Sequence, residues 1–304
     1  MKADAVLIAG PTASGKSAAA LAIAEAIGGA VINADSMQIY RELRVLTARP
    51  SDADMARVPH FLYGHVGVRE PYSVGRYRAD AAHALAEVRA RGKIPIVTGG
   101  TGLYFSALTE GLADIPPVPQ AVRDAAREKL AQIGITRLHA ELAARDAQAG
   151  AALRPSDTQR VLRAYEVLEA TGRSLLYWQT HAGEPLLEPK DVARFVLDVP
   201  REELRARIEA RFRAMVAHGA REEAGYLFNL DPALPAAKIL GLRELNAARW
   251  EEVSLEEAIR NAVTRTRQYA KRQVTWFRHR MADWDWVSAA NGSNFVSGML
   301  RSLA

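Results

Sequence analysis

Short apolar runs alternate with longer segments rich in alanine and leucine over the first hundred residues. The runs at residues 6–9, 30–33 and 94–98 have the length and composition of buried strands. Residues 16–27 and 73–91 have helical patterning, and glycine, which commonly ends a helix, follows each of them. This alternation predicts βαβ units, and therefore an α/β fold with a parallel sheet covered by helices on both faces.

The pattern changes after a proline-rich connector in the middle of the chain. Residues 120–179 have helical patterning that glycines interrupt, with no convincing strand, and a strand signal returns at residues 195–199. The last third of the chain is largely helical. The predicted division is an α/β core of residues 1–113 and 186–304 with a helical insertion domain of residues 114–185.

Composition is that of a globular chain and excludes several other classes. Hydrophobic residues make up 49% and charged residues 25% of the 304 residues, so a disordered chain is excluded. The chain has no cysteine, which excludes a disulfide scaffold, a thiolate nucleophile and a cysteine-ligated metal. No apolar run approaches the roughly 20 residues of a membrane span. We therefore expect a cytoplasmic protein with no membrane partner. As a separate expectation, the protein is a monomer.

A glycine-rich segment follows the first predicted strand and precedes the first predicted helix. It matches the phosphate-loop pattern G-x-x-x-x-G-K-[ST], with the residues Gly10, Pro11, Thr12, Ala13, Ser14, Gly15, Lys16 and Ser17. Backbone N–H groups of such a loop surround phosphate oxygens, and the helix N-terminus adds positive potential. Lys16 adds a charge, and the Ser17 hydroxyl is the expected protein ligand of Mg²⁺. A phosphorylated ligand is therefore predicted, whereas a chance glycine-rich turn is the alternative.

Asp35 directly follows the second predicted strand. Carboxyl ends of parallel strands meet at one edge of a sheet, so we expect Asp35 near the phosphate loop. Kinases and NTPases need a carboxylate there to hold Mg²⁺, although an Asx turn or a helix cap would also explain the residue. From these residues alone, an ATP-binding P-loop kinase for a nucleoside or a small molecule stays open.

Six segments that span nearly the whole chain resemble the tRNA dimethylallyltransferase (isopentenyltransferase) family. They are residues 10–17, 33–41, 99–104, 159–166, 241–244 and 271–278. The phosphate loop is widely shared, whereas Asp-Ser-x-Gln in the second segment and Gly-Gly-Thr-Gly-Leu-Tyr in the third are far more discriminating. The resemblance implies a P-loop NTPase-like core and transfer of a dimethylallyl group from dimethylallyl diphosphate to tRNA. The acceptor would be N6 of the adenosine 3′-adjacent to the anticodon, and diphosphate would be released.

The resemblance also implies roles for individual residues. Asp35 would orient the adenine amine and take its proton, and Thr101 would make a second polar contact near the reacting centre. The phosphate loop, with Mg²⁺ on Ser17, would hold the leaving diphosphate together with a helix arginine, Arg211 rather than Arg207. The alternatives are a helix N-cap for Thr101 and a solvated helix face for both arginines.

A further set of positions would contact the anticodon stem-loop of tRNA. From Arg260 to Arg280 the chain has seven Lys and Arg residues, no acidic residue and several aromatic residues. Basic groups neutralise backbone phosphates and aromatic rings stack on unpaired bases, although a solvated helix with an aromatic core face is the alternative. The resemblance implies tRNA contacts at Ser36, Met37, Gln38, Arg123, Gln159, Arg160, Val161, Leu162, Arg163, Lys238, Ile239, Leu240, Gly241, Leu242, Arg243, Lys271, Arg272, Gln273, Val274, Thr275, Trp276, Phe277 and Arg278.

Two positions depart from the family pattern. Leu46 stands where glycine is common, so the turn there needs a conformation that leucine adopts, and Phe61 follows His60 where two histidines are common. Neither departure lies in the phosphate loop, at Asp35 or at Thr101.

Two rival functions make different predictions. A kinase would turn over ATP, and a catalytically silent RNA-binding protein would bind RNA without forming a product.

Overall fold

Six parallel strands form one sheet among the described residues, and this confirms the predicted α/β class. The computed structural model describes residues 3–181, 183–290 and 294–303. The strands in these ranges are β1 Ala5–Ala9, β2 Ala30–Asn33, β3 His60–Phe61, β4 Pro95–Gly99, β5 Val192–Asp198 and β6 Asp285–Ser288. Their order is β3-β2-β4-β1-β5-β6, and all pairings are parallel. The carboxyl ends of β1, β2 and β4 therefore meet at the same edge.

Helices make up most of the remaining described chain. They are α1 Lys16–Ile27, α2 Asp52–Arg57, α3 Val74–Ala90, α4 Gly102–Thr109, α5 Gln120–Arg145, α6 Ala147–Ala152, α7 Thr158–Thr171, α8 Leu175–Gln179, α9 Arg201–Ala217, α10 Ala220–Tyr226, α11 Leu242–Arg249, α12 Leu255–Arg280 and α13 Phe295–Leu303. The chain divides into two compact units. The core unit is Met1–Thr109 with Leu186–Ala304, and the helical unit is Glu110–Pro185.

The central strands β1, β2 and β4 of the core unit are buried on both faces. All residues of β1 are apolar, and β2 and β4 are apolar except at their carboxyl ends. Along β1, Val6 and Ile8 pack in one hydrophobic cluster with Ile23 of α1. The alternate residue Leu7 packs in a second cluster with Tyr77 of α3. Successive strand side chains point to opposite faces, so one short apolar run supports two layers of helices.

The helical unit has its own hydrophobic core. Leu138 and Leu142 of α5 pack with Val161 and Val167 of α7. They form a hydrophobic cluster separate from the two clusters of the core unit. Asp157 caps α7 by accepting the N–H group of the third residue of the helix. The amphipathic helices of the helical unit thus each bury one stripe of apolar residues. The described residues of this unit contain no sheet.

The turn at Leu46 forms without glycine. The positive φ of this segment falls on Ala48, at 50°, and not on Leu46. The Leu46 N–H group donates to Glu223 at 2.8 Å, and its side chain is buried. Leucine is compatible with this turn because its own backbone stays outside the left-handed region.

Gly241 allows α11 to begin against the core. Its φ is +91°, and an added Cβ would lie 2.7 Å from the ring of Phe212. Gly28 has a φ of +69° but open space around it.

We expect Gly241→Ala to lower the free energy of unfolding by about 2–4 kcal/mol, because it adds both backbone strain and overpacking. Gly28→Ala should lower it by about 1–2 kcal/mol, because it adds backbone strain alone. Urea unfolding followed by tryptophan fluorescence measures both, and equal losses would contradict the packing argument.

Candidate functional site

The phosphate loop has the curled conformation of an anion site. Ala13 and Gly15 have φ angles of 64° and 89°, in the left-handed region. The Ser14 N–H group donates to the Pro11 carbonyl at 3.2 Å. Ser14 Oγ is buried without a hydrogen-bond partner among the described residues, and a buried hydroxyl is stabilised when a ligand supplies that partner. The loop between β1 and α1 therefore has both the shape and an open polar group for phosphate oxygens.

Lys16 places a positive charge inside this loop. Its Nζ atom donates to the Pro11 carbonyl at 3.3 Å, and the residue is 8% exposed. Burial lowers the pKa of Lys16 to about 8; the negative charge of Asp35 raises this pKa, and the positive charge of Arg211 lowers it. A bound anion would stabilise the ammonium form and raise the pKa again.

Two arginines of α9 contact the same loop. The Arg211 guanidinium donates to Thr12 Oγ1, and burial lowers the pKa of Arg211. Arg207 donates to a loop carbonyl at 3.4 Å and forms an ion pair with Glu203. Neither arginine belongs to a solvated helix face, so that alternative is wrong. Arg211 is the better placed of the two for an anionic ligand, because Glu203 already neutralises Arg207.

Asp35 lies in a tight turn after β2. Its N–H group donates to Asn33 Oδ1 at 2.8 Å, and its Oδ1 atom accepts the Met37 N–H group at 3.0 Å. An added Cβ on Gly100 would lie 3.2 Å from the second carboxylate oxygen, Oδ2. The Asx turn is therefore present, but it engages one oxygen and leaves the other beside the β4–α4 turn.

Thr101 connects the β4–α4 turn to the turn at Asp35. Its Oγ1 atom accepts the Ser36 N–H group at 2.9 Å and donates to Ser36 Oγ at 3.2 Å. The Thr101 N–H group donates to the Ala34 carbonyl at 3.1 Å. These bonds engage the Thr101 hydroxyl with Ser36, one residue from Asp35. The structure thus brings the two residues predicted to be catalytic to adjacent turns.

Gln273 joins the phosphate loop to the β4–α4 turn. Its Oε1 atom accepts the Thr12 N–H group at 2.9 Å, and its Nε2 atom donates to the Gly100 carbonyl at 2.8 Å. The side chain is buried, with both polar ends bonded inside the protein. The predicted tRNA contact of Gln273 is corrected accordingly, because this amide holds two loops of the site in register.

Three tyrosines near Asp35 were not among the predicted site residues. Burial raises the pKa of Tyr63, Tyr104 and Tyr269, and the negative charge of Asp35 raises each further. These three hydroxyls therefore lie within electrostatic range of the Asp35 carboxylate. Tyr104 belongs to the Gly-Gly-Thr-Gly-Leu-Tyr segment, which could have signalled it; the other two have no motif that marks them.

Several predicted tRNA contacts have buried side chains. Gln38 is 7% exposed, and its Nε2 atom donates to the carbonyls of Thr47 and Ala48 at 2.9 Å each. The remaining buried side chains pack in hydrophobic clusters: Val161, Ile239, Leu242 and Phe277. The predicted tRNA contacts of these four apolar side chains are corrected, because each lies on or beside a helix whose inward side supplies core residues. The predicted contact of Gln38 stays a prediction, because its hydrogen bonds to the turn use Nε2 and leave Oε1 for a ligand. Gly241 has no side chain and serves the packing described above.

The exposed predicted contacts on the core unit form two groups. Lys238 and Arg243 lie on either side of the start of α11, with Leu240 partly buried between them. On α12, Lys271, Arg272, Thr275 and Arg278 are exposed and Val274 and Trp276 partly buried. A cleft of about 500 Å³ runs along this side of α12, lined by Gln268, Lys271, Arg272, Thr275, Trp276, His279 and Arg280. The α12 cleft therefore combines cationic side chains with an indole ring.

The helical unit has a second cationic site of its own. Arg123 Nε is buried without a hydrogen-bond partner in the described part of the chain. Burial lowers the pKa of Arg163, and although Glu166 raises it, the charge of Arg123 lowers it further. Gln159 and Arg160 are exposed on the same helix, and Leu162 is partly buried. Arg163 also lies 3.8 Å from Glu166 Oε2, so Arg123 is the guanidinium here without a hydrogen-bond partner for its Nε atom in the described chain.

Ser17 is exposed in the first turn of α1. The described residues contain no group of three or more histidine, aspartate or glutamate side chains that could hold a metal. A cation at the phosphate loop would therefore be coordinated by the Ser17 hydroxyl, by phosphate oxygens of the ligand and by water, which suits Mg²⁺.

Among the described helices, none is both long and apolar enough to cross a membrane.

Family models and curated relatives match nearly the whole chain. The IPP transferase model matches residues 38–280, and the isopentenyl transferase model matches residues 3–70. A protein of Rhodopseudomonas palustris named tRNA dimethylallyltransferase is 51% identical over 99% of this chain and 94% of its own length. A protein of the same name from Nitrobacter hamburgensis is 54% identical over 94% of this chain and 91% of its own length.

Solved structures extend this similarity to the fold. A tRNA isopentenylpyrophosphate transferase from Bacillus halodurans is 31% identical, with a TM-score of 0.68 over 98% of this chain and 97% of its own. A eukaryotic dimethylallyltransferase, described as acting on tRNA, has a TM-score of 0.85 and 28% identity over 99% of this chain and 77% of its own. The chain belongs to the IPP transferase family, among relatives named tRNA dimethylallyltransferase.

Proposed function

We propose that this protein transfers the dimethylallyl group of dimethylallyl diphosphate to N6 of the adenosine 3′-adjacent to the anticodon of a tRNA. One observation carries the proposal. The phosphate loop, with its positively charged side chains, and the carboxylate of Asp35 lie at the same edge of the sheet. The loop suits the leaving diphosphate, and the carboxylate suits the incoming amine. Membership of the family supports this assignment of the two halves of the site.

The phosphate loop would hold the diphosphate through charge and hydrogen bonds. Lys16 and Arg211 supply two cations, Ser14 Oγ supplies an unpaired hydroxyl, and the first turn of α1 adds backbone N–H groups. Mg²⁺ held by Ser17 would supply further positive charge to the phosphate oxygens. These groups stabilise negative charge as it develops on the departing oxygen.

At the allylic carbon, the transfer forms one bond and breaks another. The N6–carbon bond forms as the bond between that carbon and the diphosphate oxygen breaks, and the diphosphate leaves with the electron pair. The amine lone pair is delocalised into the adenine ring, so Asp35 would orient the N–H group and accept a proton during attack. Thr101 would hold the turn beside it.

We propose that tRNA binds through the α12 cleft and, on the helical unit, through Arg123 and Arg163. Exposed Lys271 and Arg272 suit backbone phosphates, and Trp276 suits an unpaired base. The target base must leave the stack of the anticodon loop to reach Asp35. Ser36, Met37 and Gln38 follow Asp35 in the chain and are the proposed contacts of that nucleotide. The cytoplasmic location and the monomeric state stay predictions.

Product analysis tests the reaction itself. Unmodified tRNA incubated with the protein, Mg²⁺ and dimethylallyl diphosphate should yield one adenosine with a C₅H₈ mass gain after nuclease digestion and mass spectrometry. The kinase alternative predicts ATP turnover and no such gain. The silent RNA-binding alternative predicts tRNA binding with neither.

Asp35→Asn should slow the chemical step about 100-fold or more, because the amide keeps the shape of the side chain but cannot take the proton. Single-turnover measurement of the modified adenosine gives this rate. Binding of tRNA by gel shift should persist, and Asp52→Asn, at an exposed position, is the matched control. An unchanged rate would contradict the general-base role.

The buried Lys16 predicts a pH dependence. Its pKa of about 8 means that the free enzyme loses the Lys16 charge as the pH rises through 8. The kcat/KM for dimethylallyl diphosphate should therefore fall above that pH, since this parameter reports groups of the free enzyme. Lys16→Ala should have a low kcat/KM without this alkaline fall. A fall that persists in Lys16→Ala would assign it to another group.

The α12 cleft predicts a salt dependence. Removing both charges in a Lys271→Ala, Arg272→Ala variant should weaken tRNA binding about tenfold or more and reduce the slope of log affinity against log salt by about 2. Arg213→Ala removes an exposed arginine that pairs with Glu256 and is the control. An unchanged slope in the double variant would place the phosphate contacts elsewhere.

A further inference from the structure

Glu223 of α10 binds the backbone of a distant turn. Its Oε2 atom accepts the N–H groups of Arg44 and Val45 at 2.7 Å each, and its Oε1 atom accepts the N–H group of Leu46 at 2.8 Å. Three consecutive N–H groups that converge in this way form an anion-binding concavity. Here a carboxylate of the protein itself occupies it.

The same turn holds Gln38 from its other side. The carbonyls of Thr47 and Ala48 each accept a hydrogen bond from Gln38 Nε2 at 2.9 Å. Both amide protons are therefore used, which fixes Nε2 as the inward atom and leaves Oε1 as the atom that can accept a bond from a ligand. Closure of the turn also requires the positive φ of Ala48, so its conformation depends on outside support.

Gln38 is in turn bonded to the segment that contains Asp35. The Gln38 N–H group donates to the Asp35 carbonyl at 3.3 Å, and the Gly64 N–H group donates to the Gln38 carbonyl at 3.0 Å. A continuous series of hydrogen bonds thus runs from α10 through the turn at residues 44–48 to the residues next to the general base. Every link is between the described residues of the core unit.

We propose that Glu223 is a positioning residue for recognition of the target nucleotide, acting through Gln38. The inference rests on the proposed function, because it assumes that Gln38 Oε1 contacts the tRNA. Glu223 fixes the turn, the turn fixes the orientation of the Gln38 amide, and the amide presents an acceptor. No bond in this series involves the phosphate loop, so binding of dimethylallyl diphosphate is separate from it.

Glu223→Gln is the sharpest variant. It keeps the size of the side chain but replaces one acceptor oxygen by an NH₂ group, which cannot accept a bond from the turn. We expect the KM for tRNA to rise about tenfold, while the KM for dimethylallyl diphosphate stays within about twofold. Glu222→Gln, an exposed neighbour on the same helix, is the matched control and should leave both values unchanged.

A double-mutant cycle with Gln38→Ala separates positioning from general stability. If Glu223 acts through Gln38, adding Glu223→Gln to Gln38→Ala should raise the KM for tRNA by less than about twofold further. Additive effects, or equal changes in the KM of both substrates, would overturn the proposal. Glu223→Asp, which keeps the charge and shortens the reach, serves in the same cycle if Glu223→Gln does not fold.

The wild-type protein distinguishes this failure from failure of the proposed function. If the wild type forms no modified adenosine, the proposed reaction is wrong, and the positioning role falls with it. If the wild type is active and Glu223→Gln has wild-type kinetics toward tRNA, only the positioning role is wrong.

Discussion

A buried cation without a fixed counter-ion is the constraint on which the site depends. The phosphate loop encloses the ammonium of Lys16, whose hydrogen bond within the described chain goes to a loop carbonyl, and desolvation disfavours its charge. The nearby guanidinium of Arg211 adds like charge, and the carboxylate of Asp35 offsets part of it. Such an arrangement is most stable when a polyanion enters. The fold thus favours a phosphate-bearing ligand at this position, and this preference does not depend on which reaction the ligand undergoes.

Neutral side chains set the spacing of the charged groups around that position. The amide of Gln273 holds the phosphate loop to the β4–α4 turn, and the hydroxyl of Thr101 holds that turn to the turn after β2. Each bridge joins segments far apart in the chain, and each uses both donor and acceptor capacity. The charges of Lys16 and Asp35 are therefore held in place by uncharged groups, whose hydrogen bonds are not screened by salt and do not change with pH near neutrality.

The sequence predicts the local parts of this arrangement better than its long-range parts. Four of the six strands, the phosphate loop and the position of Asp35 follow from apolar runs and a motif of eight consecutive residues, since each is determined by neighbours in the chain. The edge strands β3 and β6 are not predicted, because two residues in β3 and polar residues at both ends of β6 give no apolar run. The bonds of Gln273 with Thr12 and of Glu223 with the turn at Leu46 join residues far apart in the sequence, so no local pattern announces them. Motif membership also misassigns inward residues: Phe277 lies in a predicted tRNA-binding segment but is fully buried.

The strand order explains why glycines stand at the end of β4 and in the turn that follows it. Because β4 lies between β2 and β1, the turn after β4 separates the carboxylate of Asp35 from the phosphate loop. An added Cβ would meet the Ala34 backbone at Gly99, the amide of Gln273 at Gly100 and the ring of Trp276 at Gly102. Because the other three residues of the segment at 99–102 are glycine, Thr101 alone adds a side chain between the Asp35 carboxylate and the phosphate loop. The amine and the carbon bearing the diphosphate must meet in this space in the proposed reaction.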